Sequence, residues 1–518
     1  MALNGKPLRL AQALLIVAPA FILFGYNQAG IGPLDSLQSW VHTFPQIDTV
    51  NTTGAVKSHN STSQGAVIAS FQIGALVGAL SCTFLGDWLG RRRTIFLGGI
   101  LTVVGQVLQI VAYRDPLIQF TIGRIILGCG VGQLSVAVPV WQSECSSAKH
   151  RGQHVIVDGI CICLGYALCN WIDFGLSKIG GESTLQWRMP LVISLFFSVV
   201  LLASVFFLPE SPRWLVCVNR VDEATASLAA YRGLPVEDEA VRMEISGIET
   251  SLEITDGSAS VSLKEMFSPD DQDRLLYRFC LCIALNTVQQ MCGGNLISVY
   301  ASNIFEDNLH MSTDLSKILA SCAMTWKFLC SFISFFAIDR LGRRAVFMIS
   351  GTGMSVCMVV LAITNSFGTQ KTASIVSAVF IFLFNSFYPI GFLGGNFLYC
   401  TEVAPMRLRV AMSAISTANH WLWNFVVVMI TPVALNTIGY RYYIVYAVIS
   451  ACIPVMVFFF YPETMNRNLE ALNHVFRDAP SAWQIVSMAR HLPQGETAEV
   501  DVWVRSAEKA EIEERESV

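Results

Sequence analysis

Charged and amide side chains lie inside long apolar stretches of this sequence. Arg124, Asp158 and Lys327 each stand several residues into such a stretch, and Asn27 and His420 lie within two others. An ionisable side chain at membrane depth is costly, and those that are retained usually mark solute, ion or proton pathways. These residue types therefore predict the binding and movement of a solute through a membrane, without chemical conversion.

The composition also indicates a membrane protein. The chain has 518 residues, of which 53% are hydrophobic and only 14% are charged, too apolar a balance for a soluble enzyme of this size. A formal net charge of −4 provides no basic surface for nucleic acid. The lipid bilayer is thus an expected partner, and nucleic acid is excluded.

No motif in the sequence indicates an enzyme. The 15 cysteines lie mostly inside apolar runs, which is typical of small buried side chains rather than of disulfides or a zinc site. The sequence lacks both Gly-x-x-x-x-Gly-Lys-Ser/Thr, which would bind nucleotide, and His-Glu-x-x-His, which would bind zinc. We therefore expect no metal site, no cofactor and no enzymatic activity.

Twelve apolar windows of about 20 residues position these side chains in predicted membrane helices. The windows are 10–32, 64–85, 94–112, 118–141, 153–175, 189–208, 275–303, 315–338, 346–365, 373–400, 411–433 and 442–461. A basic turn, Gly86–Arg93, recurs as Asp339–Arg344 at the equivalent place in the second six windows. The repeat predicts an all-α membrane protein with two pseudo-symmetric halves of six helices each.

The same windows define the predicted domain boundaries. Residues 1–9 form the N-terminus, and 10–208 and 275–461 form the two six-helix halves. Between the halves, 209–274 is a polar linker that we interpret as short surface helices, and 462–518 is a polar tail. The first apolar run is too long for a signal peptide and lacks a cleavage site, so it is interpreted as a membrane helix.

Basic residues in the short loops predict the orientation. Ten Lys and Arg residues fall on the side of the basic turns against six on the other side, which places the turns, the linker and both termini in the cytoplasm. The long first loop then lies outside, and it contains two glycosylation acceptor patterns, at Asn51 and Asn60.

Several motifs resemble the sugar porter branch of the major facilitator superfamily across nearly the whole chain. In order they are Phe24–Gln28, the two Gly-Arg-Arg turns, Gly123-Arg124, Pro139–Glu144 with Arg151, Pro209–Leu215, Gln289-Gln290 with Asn295, Glu402 with Arg407 and Arg409, and Pro462–Thr464. Trp171–Gly175, Gln186–Arg188 and Phe458–Glu463 look most similar to fungal glycerol and sugar proton symporters. The resemblance implies the major facilitator fold and alternating access about a central site.

The resemblance also implies which residues contact the solute. Gln289, Gln290 and Asn295 match the sugar-contacting motif of the seventh helix, and Asn424 is kept on the eleventh. Four other binding positions depart from the family: Gly159 replaces Gln, Asn396 and Phe397 replace Pro and Trp, and His420 replaces Asn. His420 could titrate near neutral pH or serve only as a hydrogen-bonded filler.

Proton coupling is left open by the residues at membrane depth. The resemblance implies that Arg124 is the coupling partner of the polar residue of the first helix. That residue is Asn27, which occupies the place where proton-coupled relatives carry Asp, and an amide cannot release a proton. Asp158 lies about 10 Å into the fifth helix and Lys327 about 18 Å into the eighth, at ~1.5 Å per residue. Because the fold places these two helices face to face, we hypothesise an ion pair between Asp158 and Lys327 that changes during transport.

Acids and arginines lie at the predicted cytoplasmic helix ends, where ion pairs between them could hold the cytoplasmic entrance closed. Exposed pairs are individually worth under about 1 kcal/mol. The candidate gating residues are Arg91, Arg92, Glu144, Arg151, Arg343, Arg344, Glu402 and Arg407.

The sequence therefore predicts a secondary transporter for a sugar or polyol, in the plasma membrane. Proton symport, with protons as a second partner, and facilitated diffusion both stay open. Two further alternatives are a repurposed porter for another small metabolite and a non-transporting nutrient sensor.

Overall fold

Eleven helices in the described part of the chain are long and apolar enough to span a bilayer. The computed structural model describes residues 4–30, 34, 37–113, 116–146, 151–179, 183–253, 273–308, 311–367, 370–405, 408–465 and, within the tail, 467, 472, 475–477, 479 and 481–491. The eleven helices are α1 Lys6–Ala29, α2 Gly54–Trp88, α3 Arg91–Ile110, α4 Pro116–Cys145, α5 Arg151–Ser177, α6 Leu185–Phe207, α8 Thr313–Leu341, α9 Arg343–Ser366, α10 Lys371–Val403, α11 Arg409–Thr437 and α12 Arg441–Phe460.

The twelfth predicted span is present but broken. Helix α7 runs from Leu275 to Gln290 and resumes as Gly294–Val299 after a turn. Gly293 ends that turn with φ 91°, a left-handed conformation that residues with a side chain rarely adopt. The break divides α7 into pieces shorter than a bilayer crossing, although the twelve-window prediction located the span itself.

Helix α10 is broken in a similar way. Its first part, Lys371–Phe392, is separated from Gly395–Val403 by Leu393 and Gly394, and Gly394 has φ 95°. Discontinuous helices free backbone groups and turn side chains toward the interior, and they commonly form the solute sites of transporters.

Within the described ranges, two helix pairs make most of the contact between the halves. Helix α2 of the first half packs along α11 of the second, and α5 of the first packs along α8 of the second. The expected facing of the fifth and eighth helices is therefore confirmed. Near the end of α2 that leads into the basic turn, a Cβ placed on Gly86 would lie 2.7 Å from Val410 Cγ1 of α11, so the Val410 side chain packs directly on this glycine.

Short helices form the described part of the linker between α6 and α7. They are Pro212–Cys217, Val221–Arg232 and Glu239–Glu253, while residues 254–272 lie outside the described residues. Their apolar faces pack into a small cluster of their own.

The described part of the tail packs against the second half. Phe476 lies 4.1 Å from the guanidinium carbon of the buried Arg278 of α7, and the Trp483 ring is 5.2 Å from that of Phe460 at the end of α12. The tail thus covers one end of the second six-helix half.

Candidate functional site

A buried cavity lies between the two halves, at the break in α7. It is lined by Phe24, Gln28, Ile162, Tyr166, Gln289, Gln290, Asn295, Lys327, Tyr388, Leu393, Phe397 and His420. These residues come from α1 and α5 of the first half and from α7, α8, α10 and α11 of the second. In this conformation the cavity admits about one water molecule, so its walls are nearly in contact.

A chain of amide groups crosses the cavity from one half to the other. Gln28 Nε2 on α1 donates to Asn295 Oδ1 at 3.2 Å, and Asn295 Nδ2 donates to Gln290 Oε1. Gln290 Nε2 in turn lies 2.9 Å from a ring nitrogen of His420 on α11. The break in α7 makes this chain possible because it aims side chains from both sides of the turn at one space.

A lysine lies on another wall of the cavity. Lys327 Nζ donates to Ser298 Oγ at 2.7 Å and lies 4.6 Å and 4.8 Å from the ring centres of Tyr166 and Tyr388. Its side chain is 1% exposed. Gln289 Nε2 donates to the Tyr388 hydroxyl at 2.8 Å, and Gln289 Oε1 has no hydrogen-bond partner in the described part of the chain.

Aromatic rings complete the lining. The rings of Phe24 and Trp421 are 4.7 Å apart, and those of Phe397 and His420 are 5.6 Å apart. Flat apolar faces beside amides suit a ligand that has both hydroxyl groups and C–H surfaces.

Three predicted solute-contacting residues do not line this cavity. Gly159 packs on the break in α10, where a Cβ would lie 2.1 Å from the Leu393 carbonyl oxygen. Asn396 Nδ2 donates to Asn286 Oδ1 at 2.8 Å, so it links α10 to α7 behind the cavity. Asn424 is fully buried, and neither atom of its amide has a hydrogen-bond partner in the segments that the structure describes.

The structure does not bring Asn27 and Arg124 together. Asn27 Oδ1 accepts from Ser194 Oγ of α6 at 3.2 Å. Arg124 donates to the Ile68 carbonyl at 3.2 Å and lies 5.4 Å over the Phe71 ring. Each side chain has found local partners on a neighbouring helix of the first half.

Asp158 and Lys327 also lack the hypothesised ion pair in this conformation. Asp158 is fully buried, and both carboxylate oxygens have no hydrogen-bond partner among the described residues. Lys327 Nζ lies level with the ring of Tyr166, which is eight residues after Asp158 on α5. Eight helical residues span about 12 Å, so the two charged groups are separated along the axis of α5.

A second buried acid, not predicted from the sequence, lies farther along α5. Asp173 is 2% exposed and accepts a hydrogen bond from Cys169 Sγ at 3.3 Å, and its other oxygen has no hydrogen-bond partner within the described ranges. An isolated Asp inside an apolar stretch was the available signal, but it was used only as part of the Trp171–Gly175 motif. Sequence reasoning also missed Gln28, Tyr166 and Tyr388 as cavity residues, because amides and tyrosines are common in membrane helices.

The gating candidates of the first half form one buried network. Arg91 donates from Nε and Nη2 to the two carboxylate oxygens of Glu144, each at 2.9 Å, and from Nη1 to Asp87 at 3.0 Å. Ser211, just after α6, donates to Glu144 at 2.6 Å. This bidentate arginine–carboxylate pair ties the helix ends of the first half together. The charge of Arg409, at the start of α11 in the second half, also acts on Glu144.

The second half repeats this network. Arg343 donates to Glu402 at 3.1 Å and 2.8 Å and to Asp339 at 2.8 Å, and Thr464 donates to Glu402 at 2.7 Å. Each network therefore braces its own half, and a gating role for these residues stays a prediction. A contact between the halves at this end runs instead from the Gln153 backbone N–H to Asp339 Oδ2 at 3.1 Å.

A second acid caps the helix that begins at each basic turn. Glu210 accepts the backbone N–H of Arg92 at 3.1 Å and that of Ser211 at 2.9 Å, and Glu463 accepts the N–H of Arg343 at 3.0 Å. A carboxylate at a helix N-terminus stabilises its unpaired N–H groups and its dipole. Burial raises the pKa of the Glu210 carboxyl, although these N–H donors oppose the shift.

The other gating candidates differ in what the structure shows. Arg92 and Arg344 donate to the backbone carbonyls of Phe206 and Phe458, at 2.9 Å and 2.7 Å, in equivalent positions of the two halves. Arg151 begins α5, but its side chain is not described, and Arg407 lies outside the described residues.

The two glycosylation candidates differ in accessibility. Asn51 is exposed, and its backbone N–H donates to Asp48. Asn60 lies within α2, is 7% exposed, and its side-chain nitrogen donates to the Asp48 carbonyl at 2.8 Å. The structure therefore extends α2 ten residues beyond the predicted start, into the expected loop.

Two six-helix halves that enclose a polar cavity at broken helices define the class of the protein, a polytopic membrane transporter. A family model described as "Sugar (and other) transporter" matches residues 13–476. The chain belongs to this family of transporters, which confirms the resemblance to the sugar porters and the prediction that it is not an enzyme.

Relatives of known name cover most of the chain. Sugar transporter STL1 of Saccharomyces cerevisiae is 33% identical over 505 residues, covering 96% of this chain and 87% of STL1. MFS-type transporter oryC of Aspergillus oryzae is 34% identical over 421 residues, covering 80% of this chain and 77% of oryC.

A solved structure shares the fold. The proton:xylose symporter XylE of E. coli, bound to 6-bromo-6-deoxy-D-glucose, superimposes with a TM-score of 0.78 at 22% identity, covering 90% of this chain and 99% of XylE. The predicted fold class, with twelve membrane helices in two halves, is therefore confirmed.

Proposed function

We propose that this protein moves a polyhydroxylated solute, a sugar or a polyol, across a membrane by alternating access. The observation that carries the proposal is the buried amide chain from Gln28 through Asn295 and Gln290 to His420, which crosses between the halves. Side-chain amides both donate and accept hydrogen bonds, so they can exchange their contacts with each other for contacts with hydroxyl groups.

A second cavity supports a path from this site toward the end of the protein that carries the basic turns. Phe397 lines both cavities, and the second is otherwise formed by α4 of the first half and by α10 and α11 of the second. Ser135, Ser413 and Thr417 are among its polar residues. Rocking of the halves would join the two cavities by moving Phe397, while each half stays braced by its own arginine network.

Uptake into proteoliposomes tests this proposal. The purified protein is reconstituted and given a panel of labelled aldoses, ketoses and linear polyols, with and without an imposed proton gradient. Saturable uptake of a panel member supports the proposal. Flux of a solute without hydroxyl groups, not inhibited by the panel, would favour a repurposed porter, and solute binding without flux would favour a sensor.

We further propose that Asp158 binds the coupling proton. Its two oxygens lack partners inside the first half, so an ionised carboxylate there would be uncompensated, and binding a proton removes that cost. The Asp158→Asn variant is expected to keep downhill flux but to lose accumulation driven by a proton gradient. Asp222→Asn, at an exposed linker position, is the matched control.

Failure of the wild type to accumulate solute under a proton gradient would contradict this coupling proposal and favour facilitated diffusion. Accumulation by Asp158→Asn at the rate of the wild type would show that another group binds the proton.

We also propose that the protein resides in the plasma membrane with both termini and the linker in the cytoplasm. The excess of basic residues in the loops on that side supports this orientation. Epitope tags at the two termini should bind antibody only after permeabilisation. Labelling of intact cells would contradict the orientation, and a fluorescent fusion retained on internal membranes would contradict the location.

A further inference from the structure

The central cavity has a positive charge and no matching negative charge. Lys327 is the cation among the residues that line it, and none of those lining residues is Asp or Glu. Asp158 is not among the lining residues and lies about two turns of α5 before Tyr166, the residue whose ring contacts the lysine, and Arg124 donates to Ile68 outside the lining. The net charge of the lining, counted over the described residues, is therefore positive.

The contacts of Lys327 with other residues in the described part of the chain are all neutral. Its ammonium has three donors, of which one is given to Ser298, and it is held over the rings of Tyr166 and Tyr388. Aromatic rings stabilise a buried cation only partly, and they accept no strong hydrogen bond. The ammonium thus keeps donors available on the side of the cavity while it is removed from water.

We propose that the transported solute carries a carboxylate in addition to its hydroxyl groups, as a sugar acid does. This inference rests on the proposed function and specifies the substrate class of the same site. The carboxylate would bind Lys327 through charge-assisted hydrogen bonds, and the hydroxyl groups would bind the amides of Gln289, Gln290 and Asn295.

Charge matching selects an acid of this kind over the alternatives. A neutral sugar would leave a desolvated ammonium uncompensated when the cavity closes around it, which is costly. A phosphorylated sugar would bring a second negative charge, for which the lining offers no further arginine or lysine. A monocarboxylate matches the single cation.

Binding of matched neutral and acidic sugars tests the proposal. The protein is reconstituted in nanodiscs, and the pairs D-glucose and D-glucuronate, D-galactose and D-galacturonate, and D-xylose and D-xylonate are titrated at constant ionic strength. Tryptophan fluorescence reports binding, because the Trp421 ring lies 5.4 Å from that of His420 in the lining. Competition for uptake in proteoliposomes gives an independent measurement.

The acid of at least one pair is expected to bind the wild type about 10-fold or more tightly than its neutral partner, as a charged hydrogen bond predicts. Lys327→Gln should lose that preference while it still binds the neutral sugar, and Lys327→Arg should retain it. Lys178→Gln removes an exposed cation of the first half and should leave the preference unchanged.

Two results would overturn the inference. If the wild-type protein binds and transports neutral sugars while every acid fails to compete, the acid substrate is refuted and the proposed function stays intact. If the Lys327→Gln variant unfolds at the wild-type temperature and keeps the acid preference, the role of Lys327 is refuted. Failure of all six compounds and of the wider panel to bind or to be transported would overturn the proposed function itself.

Discussion

Gly159 of α5 packs against the backbone of the break in α10, in the other half, and the Gly159→Ala variant tests this close approach. A Cβ at this position would lie 2.1 Å from the Leu393 carbonyl oxygen and 2.5 Å from its carbon. Ordinary contacts begin at 3.4 Å, so α5 and the break in α10 would have to separate by about 1.3 Å. The obstructing atoms are backbone, so no side chain can rotate away to relieve the contact.

The expected cost follows from this geometry. Overpacking of a close contact typically costs about 1–3 kcal/mol. Because α5 and α10 belong to different halves, the strain destabilises the conformations in which these two helices are in contact. A bias of that size shifts the equilibrium between conformations about 5-fold to 150-fold. We therefore expect Gly159→Ala to open the side that carries the basic turns and to slow uptake by a comparable factor.

Native residues provide both the reporter and the control. Cys400 lines the second cavity, so opening of that cavity should increase its labelling by a maleimide, measured by peptide mapping. Gly175→Ala lies in the same helix, where a Cβ meets nothing within 4 Å. Alanine is the better helix former there by about 0.5–1 kcal/mol, so the control should unfold at the wild-type temperature or above.

The result that would refute this reasoning is specific. If Gly159→Ala and Gly175→Ala showed the same unfolding temperature, the same uptake rate and the same Cys400 labelling, the close approach of α5 to α10 would not occur in the working transporter.

Two further predictions concern the ion-pair networks and the first loop. Arg343→Gln leaves Glu402 buried without its cation and should lower the free energy of unfolding by about 3–5 kcal/mol, which a large drop in unfolding temperature would show. The control Arg220→Gln removes an exposed pair worth at most about 1 kcal/mol. Equal drops for both variants would contradict a buried network. In a eukaryotic host, Asn51→Gln should abolish the glycosidase-sensitive shift on a gel and Asn60→Gln should not, because the Asn60 amide is buried and bonded. A shift lost only in Asn60→Gln would contradict the fold of that segment.

Much of the architecture could be predicted from local signals in the sequence. Runs of about 20 apolar residues mark membrane helices because the bilayer demands internal backbone hydrogen bonds and an apolar surface. The recurrence of the turn at Gly90 and Gly342 indicated duplication, and both glycines have positive φ, 85° and 87°, in equivalent turns. Family motifs then indicated that the α7 amides Gln289, Gln290 and Asn295 contact the solute, and the structure places all three in the cavity.

The site itself depended on which way each helix faces, which apolar windows cannot show. Asp158 and Lys327 were correctly placed on helices that face each other, yet Lys327 lies level with Tyr166, eight residues beyond Asp158 on α5. The departure of Gly159 from the family pattern looked like a change in substrate contacts. The structure explains it as the space needed for the Leu393 carbonyl.

The sequence by itself determined the helices, their duplication and the polar groups that they carry, because those properties depend on residues close together in the chain. Only the tertiary structure decided that Gln28 meets Asn295 across 267 positions, and that Lys327 shares a cavity with the amides. Those contacts depend on the rotation and the breaks of helices packed from both halves, which are set by close backbone contacts far apart in sequence.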